Sequence, residues 1–282
     1  MVYELSNMSW MEAEDKFKKT KVVIVPTGAV ENHGPHLGLG ADWIQAWNLA
    51  AKVGKKTDAV VLPIMPFGVS DHHGDFPGTV FLAPSTFRTV IMEILRCLNR
   101  YGVKKVVFIN GHGGNLGALT EATKEARESL GMTCATIQWW DVLIKKPVLG
   151  QPAETHGGYA ETALMLAVRP EAVKIEYAIL SPTKQVDKDI RLISLGEASF
   201  RDGIVRLGLR TADVSDTGSM GEHSPEEVPG TKDYSKVTKE LGERLSAELI
   251  DWVADFVKKF ETFELPPIKI SKEMALKKIK EK

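Results

Sequence analysis

Four potential metal ligands lie close together in residues 26–42. Glu31, His33, His36 and Asp42 stand among glycines and prolines, directly after the apolar run 22–25. Two carboxylates and an imidazole at this spacing can bind a divalent cation. Glycine and proline let the loop fold back, so Glu31, His33 and Asp42 can face one point. The alternative is a polar loop in which the histidines only satisfy backbone groups.

Histidines elsewhere in the chain repeat this placement. Six of the seven lie in loops flanked by glycine or proline beside predicted strand ends, whereas the seventh, His223, is an isolated loop residue expected to face solvent. The six are His33, His36, His72, His73, His112 and His156. Gathered on one edge of a sheet, they predict a chemical site.

A site for two divalent ions needs carboxylates to offset the charge and imidazoles to set the geometry. Candidates for these ligands are Glu31, His33, Asp42, His112 and Glu161. His156 stands five residues before Glu161, where an imidazole that titrates near neutrality can carry a proton to a leaving group. A role for His156 as a metal ligand or as a structural residue stays open.

The elements that must position these residues alternate between strand and helix. Apolar runs predict strands at 22–25, 59–64, 80–82, 104–110 and 133–140, with a further strand within 190–200. Helical periodicity predicts helices at 10–17, 41–54, 84–100, 116–130, 157–169 and 234–260. Strands that are apolar throughout indicate a parallel sheet buried on both faces.

We therefore expect an α/β fold: a single-domain three-layer sandwich over residues 1–282, with a mostly parallel central sheet covered by helices on both faces. A Lys-rich tail follows from about residue 261. The loops at 28–42, 68–79 and 111–117 each follow a strand. They should meet at the carboxyl edge of the sheet, where such folds bind ligands.

Composition excludes several classes of partner. A net charge of −1 gives no basic surface for nucleic acid, and no apolar run approaches the length of a membrane helix. No signal peptide is visible, so a cytoplasmic protein is expected. Cys97 and Cys134 stand in apolar segments without metal or redox spacing, which indicates two small buried hydrophobes.

Four segments together resemble the creatininase (creatinine amidohydrolase) family, in that family's order, across residues 20–170. They are Gly-Ala-Val-Glu31-Asn-His33-Gly-Pro-His36-Leu-Gly-Leu-Gly-Ala-Asp42, Phe76-Pro-Gly-Thr79, Asn110-Gly-His112-Gly-Gly-Asn115 and His156-Gly-Gly-Tyr-Ala-Glu161-Thr. The first is specific and the third is weak alone, whereas the ordered set is very specific. Beyond residue 170 the resemblance fades.

The resemblance implies a hydrolase with two divalent ions, usually zinc, manganese or iron. It implies that Glu31, Asp42 and His112 hold one ion. It also implies that His33, Asp42 and a further carboxylate hold the other, with Asp42 as the bridge and His156 as the catalytic histidine. Metal-bound hydroxide attacks a carbonyl in this family, and a histidine protonates what leaves. Members tend to be homo-oligomers, often hexamers.

Two departures argue against creatinine as the substrate. Creatinine-hydrolysing members carry a glutamate two residues after the Gly-His histidine, where this chain has Gly114. We expect Glu161 to replace it as ligand and to act in catalysis. Those members also carry a tryptophan where this chain has Pro152, although Trp140 does match a pocket aromatic. We expect five residues to contact substrate: His36, His73, Thr79, Trp140 and Asn115. For His36 the alternative is that it orients a metal ligand.

The sequence thus predicts a hydrolase for a small polar carbonyl compound. A ring is favoured, either a cyclic amide or an inositol-derived cyclic diketone cleaved at a C–C bond, which would belong to carbohydrate metabolism. An alternative is a formamide hydrolase that acts on a ribosylated pyrimidine. A distant alternative is a dinucleotide-binding oxidoreductase, because the loop 111–117 joins a strand to a helix; its glycine spacing does not fit the fingerprint. No Ser nucleophile motif is present.

Overall fold

The structure is a computed structural model that describes most of the chain. The described residues are 3–143, 145–150, 153, 155–179, 181, 183–185, 187–193, 195–220, 234–265 and 271–281. Pro152 and His223 therefore lie outside the described residues. Within the described part, no helix has both the length and the apolar character needed to cross a membrane.

Four parallel strands form the central sheet. They are β1 (Val23–Thr27), β2 (Val60–Val61), β3 (Lys105–Asn110) and β4 (Thr133–Gln138), in the spatial order β2-β1-β3-β4. The chain goes outward from β1 to β2 and then returns across β1 to β3. The strand order therefore reverses between β1 and β3, and such a switch point is where doubly wound sheets bind ligands.

Three further strands form a small antiparallel sheet in the second half of the chain. They are β5 (Ile190–Leu192), β6 (Glu197–Phe200) and β7 (Gly203–Arg206). The helices are α1 (Trp10–Phe17), α2 (Ala41–Thr57), α3 (Pro84–Arg100), α4 (Leu116–Leu130), α5 (Trp139–Val142), α6 (Tyr159–Val168), α7 (Thr211–Val214), α8 (Lys239–Glu261) and α9 (Lys272–Lys280).

Helices cover both faces of the central sheet. Side chains alternate along a strand, so Ile24 contributes to one core and its neighbours Val23 and Val25 to the other. The first core also takes residues of α2, α6 and α8, whereas the second takes residues of α3 and α4. The predicted three-layer α/β architecture with a parallel central sheet is confirmed.

Several predicted boundaries differ from the structure for local reasons. The apolar residues 80–82 do not form a strand, because Val80 makes only an isolated bridge with Val30. Helix α2 continues past Gly54, where a side chain would clash with Val61 and Tyr3, so this glycine serves close packing and does not end the helix. Helix α8 begins at Lys239, since the Thr238 side chain caps it by accepting from the Leu241 N–H.

Candidate functional site

The candidate site lies beyond the carboxyl ends of β1 and β3, at the switch point of the sheet. The loop after β1 supplies Glu31, His33 and Asp42, and the turn after β3 supplies His112. Helix α6 and the turn before it add Glu161 and His156. A cavity of about 350 Å³ opens here, lined chiefly by Glu31, Asp42, His72, His73, His112, Trp140, His156, Glu161, Leu195 and Met220.

Glu31, Asp42 and His112 form the first of two candidate ligand sets, each a group of side chains that could hold a metal ion. Nδ1 of His112 lies 3.1 Å from Oε2 of Glu31 and 3.2 Å from Oδ2 of Asp42. Nε2 of His112 donates to the carbonyl oxygen of Val69 at 2.8 Å. Since one ring nitrogen is committed as a donor, the lone pair of a neutral His112 sits on Nδ1 and faces both carboxylates.

His33, Asp42 and Glu161 form the second ligand set. Nε2 of His33 lies 2.8 Å from Oδ1 of Asp42 and 3.9 Å from Oε2 of Glu161. Its Nδ1 lies 3.2 Å from the carbonyl oxygen of Glu31, an acceptor, and so carries the proton. Asp42 thus turns one carboxylate oxygen to each set and joins the two.

Charge and burial act strongly on both histidines. Burial by itself lowers the pKa of His33, but the carboxylates of Asp42 and Glu161 outweigh it and raise the pKa to about 10. His112 is buried too, and Glu31 and Asp42 raise its pKa well above the usual value. Both imidazoles therefore hold a proton at neutral pH in the ion-free protein.

The carboxylates of the two sets indicate that cations could take the place of these protons. Oε2 of Glu31 and Oδ2 of Asp42 are buried, and each faces Nδ1 of His112 without a hydrogen bond of regular geometry from the described residues. Burial opposes the charge of Asp42, yet His33 and His112 hold its pKa below the usual range, whereas burial raises the pKa of Glu161 to about 7. Three buried carboxylates and two oriented imidazoles fit two divalent cations that share Asp42.

His156 stands beside these sets and is the more exposed group. Its side chain is 14% exposed, and its Nε2 donates to the carbonyl oxygen of Asn32 at 2.7 Å. Nδ1 lies 4.0 Å from Oε1 of Glu31. Burial and the positive charge of His33 lower the pKa of His156 to about 3. His156 could also form a third possible ligand group with Glu31 and His33.

Two of the expected substrate contacts line the cavity. Trp140 is partly buried there, and His73 lies deeper, 2% exposed. Nδ1 of His73 is 2.8 Å from the amide nitrogen of Asn32 and 2.9 Å from Oγ1 of Thr211, so it accepts. Its Nε2 then donates toward Oε1 of Glu31 at 3.4 Å. His73 therefore contacts Glu31, a candidate ligand, as well as lining the cavity.

His36, Asn115 and Thr79 are not among the residues that line the cavity. His36 is buried and donates from Nε2 to Thr162 Oγ1 at 2.9 Å. Asn115 is fully buried and accepts from the N–H of Val69, and Thr79 has its hydroxyl oxygen buried. The structure therefore does not bring these three side chains into the cavity wall, and their contact with substrate stays a prediction.

Three residues of the cavity wall were not among the expected substrate contacts, although His72 was one of the six histidines expected at this edge. His72 is stacked on His112 with ring centroids 5.7 Å apart, next to His73. Leu195 and Met220 come from the small antiparallel sheet and the segment after it. His72 could have been found from its place beside His73, whereas the segment 171–232 shows no periodicity that would have pointed to Leu195 or Met220.

Gly114 explains why a glutamate is absent from the loop after β3. A Cβ at this position would overlap the carbonyl oxygen of Val69 and lie 2.5 Å from His112 Nε2 and 3.0 Å from His72 Cε1. Any side chain there would therefore displace His112 from its bond to Val69. Glu161 lies in the second set, and its Oε2 accepts from the Gly157 N–H at 2.6 Å.

The amino-acid sequence is similar to those of a family of hydrolases. The family described as "Creatininase: Creatinine amidohydrolase" matches residues 6–257. A mycofactocin precursor peptide peptidase of Mycolicibacterium smegmatis is 28% identical over 251 residues, 85% of each chain. A creatinine amidohydrolase of Pseudomonas putida is 28% identical over 63% of this chain and 76% of its own. A 3-dehydro-scyllo-inosose hydrolase of Thermotoga maritima is 26% identical over 92% of this chain and 85% of its own.

Solved structures of creatininases share the fold. A creatinine amidohydrolase crystal structure has a TM-score of 0.70 at 23% identity and covers 93% of this chain and 99% of its own. A structure titled "Creatininase Mn" and a mutant of Zn-Zn type each have a TM-score of 0.71, at 22% and 21% identity, over 93% of this chain and all of theirs. Manganese and zinc forms thus exist among these neighbours, and the chain has clustered ligands of the matching kind.

Proposed function

The chain belongs to the creatininase family, whose members are metal-dependent hydrolases, and we propose that it uses two divalent ions to hydrolyse a small polar carbonyl compound. The observation that carries the proposal is the sharing of Asp42 between two buried ligand sets. Glu31, Asp42 and His112 would hold one ion, and His33, Asp42 and Glu161 the other. The manganese and zinc forms among the solved neighbours support zinc or manganese, and iron is the third candidate.

When bound, two such ions would polarise a carbonyl group and lower the pKa of a water molecule. The protein supplies the proton transfer. His156 is neutral at pH 7 in the ion-free protein, and its Nε2 is committed to the Asn32 carbonyl, so Nδ1 is free to accept. His156 takes a proton from the attacking water and returns it to the leaving atom.

The substrate is a small ring with polar substituents. A cavity of about 350 Å³ is at the small end of ligand sites, and His72 and His73 line it beside the ligand sets. The Thermotoga maritima relative named for an inosose supports a cyclic diketone, and the Pseudomonas putida relative supports a cyclic amide. Creatinine is disfavoured because position 114, where creatinine-hydrolysing members carry a glutamate, is a glycine whose surroundings leave no room for a side chain.

Two other classes of substrate can be tested in the same hydrolysis screen. A peptide bond is supported by the name of the Mycolicibacterium smegmatis relative, and a formamide of a ribosylated pyrimidine has the same carbonyl chemistry. The dinucleotide-binding alternative has no support in the family, and the turn after β3 is used to carry His112 to Asp42. We also propose that the chain forms a homo-oligomer, which light scattering of the purified protein would measure.

The deciding experiment combines metal analysis with a hydrolysis screen. Protein loaded with zinc or manganese is tested on cyclic amides, formamides, cyclic diketones and short peptides. We expect two ions per chain and turnover of one class. His156→Ala should keep both ions and lose turnover by a factor of about 10² to 10⁴. Loss of the ions in this variant would make His156 a ligand, and full occupancy without any turnover would refute the hydrolase.

A further inference from the structure

Gly157 is hydrogen-bonded through both its backbone N–H and its carbonyl. Its N–H donates to Oε2 of Glu161 at 2.6 Å, and its carbonyl oxygen accepts from the hydroxyl of Tyr234 at 2.7 Å. Gly157 has φ +66°, and a Cβ there would lie 2.9 Å from the carbonyl oxygen of His33. Gly157 therefore links the hydroxyl of Tyr234 to the carboxylate of Glu161 through two hydrogen bonds.

Tyr234 is itself held tightly. It is 6% exposed, and its ring packs edge-on against Tyr159 at 4.9 Å and against His36 at 5.2 Å between ring centroids. His36 donates to Thr162 Oγ1, which donates to the Gly158 carbonyl at 2.7 Å. The phenol thus has a fixed direction, and it contacts the turn that carries His156 and leads to Glu161.

We propose that Tyr234 is a positioning residue for the second ligand set: its hydroxyl fixes Gly157, and Gly157 directs Oε2 of Glu161 toward His33. This inference rests on the proposed function, since it assigns Tyr234 to the ion that Glu161 would hold. Oε2 of Glu161 stands 3.9 Å from His33 Nε2, and its bond to the Gly157 N–H is the backbone restraint on that oxygen in the described residues. Burial raises the pKa of Tyr234, which keeps the hydroxyl protonated as the donor.

The substitution Tyr234→Phe removes the hydroxyl and keeps the ring packing. Tyr177→Phe is the matched control, because Tyr177 is 61% exposed. The first measurement needs no metal: exchange of the Gly157 amide hydrogen in the ion-free protein, followed by NMR. We expect this exchange to be at least about tenfold faster in Tyr234→Phe than in the wild type, and unchanged in Tyr177→Phe.

The second measurement is titration with Mn²⁺ alone. Outer-shell partners typically change metal affinity by about 10–100-fold, so Tyr234→Phe should bind the second Mn²⁺ at least about tenfold more weakly and the first as before. The electron paramagnetic resonance signal of two coupled Mn²⁺ ions should give way to that of single ions. If Tyr234 had a purely structural role, its replacement would weaken the binding of both ions to the same extent.

The outcomes separate the two proposals. Unchanged Gly157 exchange in Tyr234→Phe overturns the positioning role, whatever the metal content. Faster exchange with equal affinity for both Mn²⁺ ions also overturns it, because Glu161 would then not depend on Gly157. A wild-type protein that binds fewer than two Mn²⁺ and hydrolyses nothing refutes the proposed function and with it the metal part of this inference.

Discussion

His112 donates a hydrogen bond from Nε2 to the carbonyl oxygen of Val69 at 2.8 Å. This single contact decides which nitrogen of His112 faces the carboxylates of Glu31 and Asp42. Because Val69 stands in the loop after β2 and His112 in the turn after β3, the bond ties two loops together at the ligand set. The orientation of the His112 ring thus depends on a backbone carbonyl group of Val69, whose apolar side chain has no part in it.

Metal binding should release protons and should strengthen as the pH rises. In the ion-free protein the pKa of His33 is raised to about 10 and that of His112 well above its usual value, so both imidazoles are protonated at pH 7. An incoming cation must displace a proton from each, and this cost falls as the pH rises toward the raised pKa values. Zinc affinity should therefore rise steeply between pH 6 and pH 8, by up to about 100-fold per pH unit for two protons.

Calorimetry of zinc binding in buffers of different ionisation enthalpy at pH 7.5 would measure the number of protons released. We expect about two per pair of ions from these two imidazoles, with more from Glu161, whose pKa is raised to about 7. A binding enthalpy independent of the buffer would contradict this prediction. Removal of the ions by a chelator should lower the melting temperature, since an ion that binds only the folded state stabilises it.

Asp42 should be the one ligand whose loss removes both ions. Asp42→Asn leaves each set short of a negative charge, because Oδ1 faces His33 and Oδ2 faces His112. Glu31→Gln should weaken the binding of the first ion only, and Glu161→Gln the binding of the second ion only. Metal content after dialysis, measured by mass spectrometry, checks this. Asp251→Asn, at an exposed position of α8, is the control; equal losses in all three site variants would contradict a shared ligand.

Much of the site was predictable because metal chemistry leaves short, specific spacings in the sequence. Glu31, His33 and Asp42 fall within one loop after β1, and the rule for parallel sheets brings His112 to the same edge. The structure brings these side chains and Glu161 into two groups that share Asp42, and the members of each group could hold one ion.

What the sequence could not provide is the direction of each polar side chain within a loop. His36 and Asn115 stand in the same motifs as the candidate ligands, yet they do not line the cavity and bond instead to Thr162 and to backbone groups. Leu195 and Met220 reach the cavity from distant segments. Such contacts are set by tertiary packing, which no local spacing records.

The two cysteines should differ in reactivity. Burial raises the pKa of Cys134, in β4, to about 12, so very little of it is thiolate at pH 8. Cys97 is exposed on α3, so the burial expected for it from the sequence is wrong. Iodoacetamide at pH 8 should label Cys97 at least about 100-fold faster than Cys134, as measured by peptide mass spectrometry. In urea both should react at similar rates, and equal labelling of the native protein would contradict the burial of Cys134.

Gly114→Ala should damage the site although it adds only a methyl group. The new Cβ would overlap the Val69 carbonyl and lie 2.5 Å from Nε2 of His112, so the bond between these two residues must break. We expect a loss of about 1–3 kcal/mol in the free energy of unfolding, typical of overpacking, and a clear loss of the ion held by the first set. Urea unfolding and metal analysis measure the two effects.

Gly117→Ala is the matched control, three residues further on in α4. Nothing lies within 4 Å of a Cβ at this position, and alanine is favoured over glycine in a helix. This variant should keep both ions and be as stable as the wild type or up to about 1 kcal/mol more stable. If Gly114→Ala behaved like Gly117→Ala, the carbonyl of Val69 could not be what fixes His112, and a glutamate at position 114 would then be sterically permitted.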